Sequence, residues 1–216
     1  MAISLSDLRT GSRVLCDFPG DDAISDTQFN TWINEGAREL HLLVSTAEDT
    51  FFSTVDFTIS SGNTYSIPTN FMRIKGLDID PDTSSARNVS RYNFGERNSK
   101  SSDGNRQDRF YRVMGRTLYI EPSDNALGDY RLYYVPAPTT LTASVDLDVA
   151  LEPYHEYIMV VTAIKALIFD KLDPSLLLER RNTMRQDISD SVQVDESEPC
   201  TVTDTSRKGP AWPWNR

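Results

Sequence analysis

Two histidines, His41 and His155, are the residues of this chain best suited to acid–base chemistry. An imidazole gains and loses its proton near neutral pH, so a histidine beside a reacting group can act as a general base. His155 is expected in the first turn of a helix between two tyrosines, and His41 at the edge of an apolar helical stripe. No acid/base pair and no nucleophile-elbow pattern accompanies either residue. We therefore interpret His41 as a boundary residue and His155 as structural, with a general base as the alternative for His155.

Alternating carboxylates suggest a second kind of chemistry, the binding of a hard cation. Asp78, Asp80 and Asp82 alternate at the end of a predicted strand, and Ca²⁺ prefers such oxygen ligands. The pattern lacks the glycine-bearing loop and the closing glutamate of a calcium-binding loop. The sequence also has no Gly-rich phosphate loop and no Cys/His cluster at metal-binding spacing. We therefore predict no cofactor and no metal site. We also predict no catalytic residue, because a carboxylate-based hydrolase would need an acid/base pair that the sequence does not show.

The net charge of −10 limits the partners of this chain. Affinity for nucleic acid depends on Lys and Arg displacing counterions from phosphate, and the chain has 22 basic against 32 acidic residues. A stable complex with DNA is therefore not expected, because an acidic surface repels it.

The N-terminus has no signal-peptide pattern, and no apolar run of about 18 residues could span a bilayer. Cys16 and Cys200 lie near opposite ends and are predicted to be free thiols in a reducing cytosol.

The elements that must position these residues begin with the helix predicted over Asp26–Val44. Its apolar residues recur at three- and four-residue steps, which predicts an amphipathic helix with Trp32 on the buried face. Asp26 is predicted to be its N-cap. Gly36 in mid-helix costs about 1 kcal/mol relative to alanine, so a close packing partner is expected there. A shorter helix is predicted within residues 3–16.

Residues 50–138 change to the alternating period of β-strands. Within them, residues 81–109 form a long polar stretch that predicts an exposed loop. Tyr92 and Phe94 are expected to hold the first half of this loop to the sheet. The predicted strands span residues 51–59, 64–67, 71–80, 110–114, 117–121 and 130–135.

Two further helices are predicted after the β region. Tyr154–Leu172 is apolar on nearly all faces, so it is predicted to be the most buried helix of the molecule. Ser175–Val192 has a narrower apolar stripe, made of Leu176, Leu177, Met184, Ile188 and Val192. A row of arginines is predicted to line its outer side, either in solvent or paired with acidic residues of a neighbouring subunit. These are Arg180, Arg181 and Arg185.

The last residues, 195–216, show no periodicity and are not expected to fold alone. Their large apolar side chains are Trp212 and Trp214, which stand beside Pro210 and Pro213. Proline favours an extended backbone, and a tryptophan removes a large apolar area from water when it docks. We predict a docking peptide at these four residues, with an unstructured terminus as the alternative.

Together these elements predict an α+β fold. Helices from residues 1–48 and 150–194 are expected to form a helical core, or bundle, into which an antiparallel β domain of residues 50–138 is inserted. Residues 195–216 follow as an extended tail. The helices Asp26–Val44 and Tyr154–Leu172 are expected to pack on each other, because both have faces too apolar for water.

Five sequence blocks in a fixed order carry a resemblance to a known family. The first is WINEGARELHLLV in the Asp26–Val44 helix, followed by Y-x-IP-x-NFMRIKGL and FYRVMGRTLYIEPS in the β region. The last two are YRLYYVPAPTTL and the helical YHEYIMVVTAIKALIFDKLD. From Asp26 to Val192, this arrangement resembles the head-to-tail adaptor (connector) proteins of tailed bacteriophages, which form a ring below the portal.

The resemblance implies a structural virion protein, made in the host cytoplasm, that is not an enzyme and does not involve a membrane. A ring of about twelve copies would sit on the portal protein, extend the DNA channel and attach tail proteins of the nozzle or tail tube. Genomic DNA would pass through its acidic lumen without specific binding. Trp32, Gly36 and the three arginines are the candidates for packing between ring neighbours. The tail corresponds in position to an extension that docks some adaptors onto the portal.

The alternative is a phage tail-fibre or decoration protein whose β domain binds host glycans. Exposed tyrosines would form its binding surface, and the protein would be a monomer or trimer in solution. The candidate residues are Tyr92, Tyr111, Tyr119, Tyr130 and Tyr133.

Overall fold

The computed structural model describes residues 3–18, 24–47, 50–101 and 108–193. Within these ranges the chain forms five α-helices and two four-stranded sheets, a mixed architecture compatible with the predicted α+β class. The helices are α1 (Leu5–Leu15), α2 (Asp26–Ala47), α3 (Arg97–Ser101), α4 (His155–Phe169) and α5 (Ser175–Gln193). The strands are β1 (Ser53–Ile59), β2 (Thr64–Ser66), β3 (Phe71–Ile79), β4 (Arg87–Asn88), β5 (Ser90–Arg91), β6 (Phe110–Met114), β7 (Thr117–Glu121) and β8 (Gly128–Pro136).

The start of α2 differs from the prediction by one residue. Ser25 Oγ accepts the backbone amide of Gln28 at 3.2 Å, so the serine takes the capping position and Asp26 is the first helical residue. The predicted Asp26 cap is therefore wrong. The Asp26 carboxylate instead forms ion pairs with Arg9 and Arg13, at 3.2 and 3.0 Å. These pairs join the first turn of α2 to α1.

α2 and α4 pack on each other at the centre of the helical layer, as predicted. Eight of the 15 residues of α4 are buried, against nine of 22 in α2, so the body of α4 is as buried as its all-round apolar sequence predicts. α1 and α5 also pack on α4. The resulting core holds two apolar clusters, one around Leu40 and Tyr157 and the other around Phe29 and Val160.

The buried stripe of α5 matches the prediction at Leu177, Met184 and Ile188 but not at Leu176. Leu177, Arg181, Met184 and Ile188 follow steps of four, three and four residues and face α2 and α4, whereas Leu176 is 78% exposed. Leu176 and Leu177 are adjacent on a helix, and a rotation of about 100° separates them, so only one can lie in the stripe. The prediction that Leu176 is buried is wrong, because the stripe runs through an arginine that an apolar pattern does not include.

The two sheets pack on each other around a separate core. Their strand orders are β1-β8-β3-β4 and β2-β7-β6-β5, and all pairs are antiparallel except β5 with β6. Phe57 of β1 stacks on Tyr65 of β2 with ring centroids 3.7 Å apart, so aromatic rings join the two sheets directly. Tyr130, Leu118 and Leu132 are fully buried in this core.

The polar stretch 81–109 has more structure than a loop. Its described part contains the short strands β4 and β5, a 3-10 turn at Phe94–Glu96 and the helix α3. Tyr92 is buried and bonds through its backbone to Tyr111, so it holds the stretch to the sheet as predicted. Phe94 is 58% exposed, but its ring lies against the guanidinium groups of Arg97 and of Arg112 on β6. It therefore also contacts the sheet, through a cation–π contact and not through burial.

Candidate assembly surface

The histidines do not form a catalytic site. His155 Nδ1 lies 2.9 Å from the Glu152 carbonyl oxygen, a local contact before α4. His41 is buried, with its ring edge-on to Phe51 at 5.1 Å, and its Nδ1 has no partner among the described residues. Burial lowers the pKa of His41, although the nearby Asp148 opposes this shift. His41 is thus a buried residue in α2 and not the predicted boundary residue.

Two of the three alternating aspartates, Asp80 and Asp82, have separate local roles. Asp82 forms an ion pair with Arg131 at 3.2 Å, and Arg131 also binds Asp56 at 2.7 Å. Asp80 has a positive φ of 51° and its carbonyl accepts the amide and hydroxyl of Thr83 in a turn. Across the described ranges, no three His, Cys, Asp or Glu side chains are grouped as metal ligands would be.

Of the two cysteines, Cys16 has a buried free thiol. Its Sγ donates to the Ser12 carbonyl at 3.1 Å, and burial raises the pKa of the thiol. Cys200 lies outside the described residues.

α2 approaches α4 closely at Gly36. A Cβ at this position would lie 3.3 Å from Ile158 Cγ2, 3.4 Å from the Ile158 carbonyl oxygen and 3.5 Å from Val161 Cγ1. These distances leave almost no room for a side chain. The partner of Gly36 in the structure is therefore a helix of the same chain, and packing of Gly36 between ring neighbours stays a prediction.

Arg181 takes part in a partly buried hydrogen-bond network across the helical layer. Tyr157 Oη donates to Glu39 Oε1 at 2.7 Å, and Arg181 Nη2 donates to the same oxygen at 2.5 Å. Burial alone would raise the pKa of Glu39, but the hydrogen bonds from Tyr157 and Arg181 together bring it below its ordinary value. Arg181 thus joins α5 to α2 and α4, and its predicted place on the outer side is wrong.

The other two arginines of the row lie nearer to solvent. Arg180 forms an ion pair with Glu156 of α4, and both side chains are close to half exposed. Arg185 is exposed. Pairing of these arginines with a neighbouring subunit is not tested by the single chain and remains a prediction.

An apolar surface lies where α4 ends and α5 begins. Lys171 closes α4 with a positive φ of 61°, and the Leu172 amide donates to the Leu167 carbonyl oxygen, which is typical of a helix end. Large apolar side chains around this turn remain in solvent. We call them the apolar end: Ile168 (57% exposed), Phe169 (59%), Leu172 (47%) and Leu176 (78%).

Trp32 lies in the core and packs against Phe169 of the apolar end. Its ring packs edge-on against Phe29 at 5.8 Å and against Phe169 at 5.7 Å, and only 9% of Trp32 is exposed. Trp32 is thus a core residue that touches the surface patch through one neighbour. Periodicity alone does not reveal this patch, because the apolar pattern of Tyr154–Leu172 predicts burial to the end of the helix. The available signal was an excess of apolar residues at the C-terminal end of that helix.

The tyrosines proposed for glycan binding do not form an exposed surface. Tyr92, Tyr111 and Tyr130 are buried, and Tyr130 Oη donates to the Ala126 carbonyl oxygen. Only Tyr119 and Tyr133 are partly exposed. The burial of three candidates removes the residue basis of the glycan-binding alternative. The docking peptide at Pro210, Trp212, Pro213 and Trp214 lies outside the described residues.

The comparison with known families decides the class of protein. The model of the SU10 adaptor protein family matches residues 3–203. The chain belongs to this family. The resemblance to bacteriophage head-to-tail adaptors is therefore confirmed, and an adaptor family favours a structural role in the virion over catalysis. No curated protein sequence gives a significant match to this adaptor. Among its described residues, none of the helices is both long and apolar enough to cross a membrane.

Proposed function

We propose that this adaptor assembles as a ring below the portal of a tailed bacteriophage, extends the DNA channel and attaches tail proteins. The observation that carries the proposal is the apolar end. Four large apolar side chains stay exposed around one helix-to-helix turn, whereas scattered single residues are the ordinary case on a monomer surface. Membership of an adaptor family supplies the partners, since such proteins contact the portal and the tail.

Burying the apolar end between ring neighbours would stabilise the assembly. Full burial of a Leu, Ile or Phe side chain contributes about 1.5–3 kcal/mol, so these side chains could add several kcal/mol to each contact. Neighbours in a ring contact each other through two different surfaces, so the apolar end of one copy would meet another surface of the next copy. Such a contact closes into a ring when the rotation between copies allows it. About twelve copies would match the ring that the resemblance implies.

The residues after 194 would supply the portal contact. Trp212 and Trp214 stand on either side of Pro213 in the sequence, and their large apolar side chains suit an anchor. The acidic composition of the chain would let genomic DNA pass through the ring without specific binding.

Mass measurement of the adaptor with and without its portal tests the assembly. In the double variant Phe169→Ser/Leu176→Ser, single adaptor copies should still bind the portal. Because contacts between neighbouring copies are weakened, the measured masses should show partly occupied portals instead of complete rings. Leu42→Ser is the matched control, because Leu42 is 52% exposed in α2 and lies outside the apolar end. Complete rings formed by the double variant would contradict the proposed role of this surface.

A chain ending before Asp195 tests the docking peptide separately. We expect this chain to keep its fold, measured by circular dichroism, and to lose most of its affinity for the portal. Unchanged portal binding would exclude residues 195–216 as the main anchor. Failure of the full-length chain to bind the portal would contradict the adaptor function itself.

A further inference from the structure

The basic residues of this acidic protein are concentrated in one part of the chain. Residues 87–116 contain eight Lys or Arg against three Asp or Glu, whereas the rest of the chain contains 14 against 29. Such a separation of charge indicates a surface for an anionic partner. The structure shows where these cations lie.

Several of them share the outer face of the second sheet. Tyr111 points into the core between the sheets, so Phe110, Arg112 and Met114, its alternating neighbours on β6, face outwards. The segment with Phe94 and α3 lies over this side. We call the following residues the basic face: Phe94, Arg97, Lys100, Phe110, Arg112 and Met114.

The cations of the basic face are held by aromatic rings and not by carboxylates. The Cζ atoms of Arg97 and Arg112 each lie 4.2 Å from the centroid of the exposed Phe94 ring, and Lys100 Nζ lies 3.9 Å from that of Phe110. None of the ion pairs among the described residues includes Arg97, Lys100 or Arg112. Arg97 Nη1 also donates to the Phe94 carbonyl oxygen at 3.1 Å, so one of its N–H groups is already used. Stacking fixes a guanidinium by its face, so that N–H groups along its edge can still bind a carboxylate.

A surface with the opposite properties lies on α5. Glu179, Asp187 and Asp190 recur at helical spacing on its solvent side, and all three are exposed. Neither Glu179 nor Asp187 takes part in an ion pair among the described residues. Leu176 lies on the same side and continues the apolar end into this row. We call these four residues the α5 outer face.

We propose that the basic face of one copy binds the α5 outer face of the next copy. Cations would meet carboxylates, and the exposed Phe94 and Met114 would meet Leu176. The contact joins two different surfaces, as closure of a ring requires. This inference rests on the proposed ring and names the surfaces that form it. The whole chain is acidic, so a second copy carries the negative charge that complements the basic face. DNA is also negative, but the rest of the molecule repels it, so a second copy is the favoured partner.

Charge reversal on both surfaces tests the contact on the portal. Arg112→Glu and Asp187→Arg should each lower the fraction of complete rings about tenfold, and the double variant should recover most of it. Arg38→Glu and Asp124→Arg are matched controls, because both residues are exposed and lie outside the two surfaces. Complete rings in both single variants, with circular dichroism unchanged, would overturn the proposal but leave the adaptor function intact.

Cross-linking tests the same contact without the portal. In a Cys200→Ser background, a chain with Arg112→Cys is mixed with a chain with Asp187→Cys under mild oxidation. The mixture should form a disulfide-linked dimer on a non-reducing gel, and Arg38→Cys mixed with Asp124→Cys should not. Absence of the dimer would overturn the proposed contact. This result does not depend on portal binding, so it is separate from a failure of the adaptor function. Salt-sensitive DNA binding lost in Arg112→Glu, together with absence of the dimer, would assign the basic face to nucleic acid instead.

Discussion

Gly36 of α2 lies against Ile158 of α4, so close that a Cβ at residue 36 would be 3.3 Å from Ile158 Cγ2. At this point α2 contributes no side chain to the contact, and Ile158 and Val161 of α4 pack directly on its backbone. Close helix contact through glycine increases the number of van der Waals contacts along both helices. It also explains why a residue that weakens an isolated helix occupies the middle of α2.

Gly36→Leu should destabilise the protein by about 1–3 kcal/mol, because the added side chain must displace Ile158 or separate the helices. The measurement is urea unfolding at constant slope. Gly95→Leu is the matched control, since no atom lies within 4 Å of the space that its Cβ would take. Equal unfolding midpoints for Gly36→Leu and wild type would show that the helices can separate at little cost.

Glu39→Gln should weaken the protein in a pH-dependent way. The folded state holds the pKa of Glu39 below its ordinary value near 4.5, so the carboxylate adds stability above that pH. This contribution is lost as the pH falls through the lowered pKa of the folded state. The stability difference between wild type and variant, measured by urea unfolding, should therefore shrink on acidification.

Glu35→Gln is the control for this experiment. It removes a carboxylate from the same helix, but from the solvent-exposed ion pair with Lys165, and should cost less than about 1 kcal/mol. A difference between wild type and Glu39→Gln that stays constant with pH would contradict the role given to the Glu39 charge.

His41→Leu should reduce the dependence of stability on pH. Burial lowers the pKa of His41 from its ordinary 6.5, so the unfolded chain takes up a proton below that pH more readily than the folded one. Acidification below about pH 6.5 therefore favours unfolding of the wild type, and this effect should be smaller in His41→Leu. His155→Asn leaves His41 in place and should keep the wild-type slope. Identical slopes for all three proteins would exclude His41 as the source.

Phe57→Ala should destabilise the β region by about 2–4 kcal/mol, because Phe57 stacks on Tyr65 at 3.7 Å and on Tyr130 at 5.3 Å. Phe52→Ala is the control, since Phe52 is 41% exposed and contacts Tyr133 edge-on. Thermal unfolding followed by aromatic circular dichroism measures both. Equal losses in the two variants would mean that the stack does not join the sheets.

Periodicity identified most elements of this fold, because apolar residues at helical or alternating spacing also form its core. The strands at 110–114 and 117–121 match the prediction to the residue. Prediction failed where a polar residue lies in an apolar stripe, as Arg181 does. For Phe94 it indicated the contact with the sheet but not that this contact is a cation–π stack with Arg112. It also missed the apolar end, since hydrophobicity alone does not show which residues lack a partner.

β1 and β8 are neighbours along their full paired length, from Ser53 opposite Tyr134 to Ile59 opposite Gly128. The chain therefore leaves the helical layer and returns to it through two adjacent strands, about 5 Å apart. The β region is thus joined to the helices as a β-hairpin would be, through its paired first and last strands. Insertions, deletions or replacement of the outer strands should then leave the helical layer intact. Changes within the β region are thereby separated from the folding of the helices.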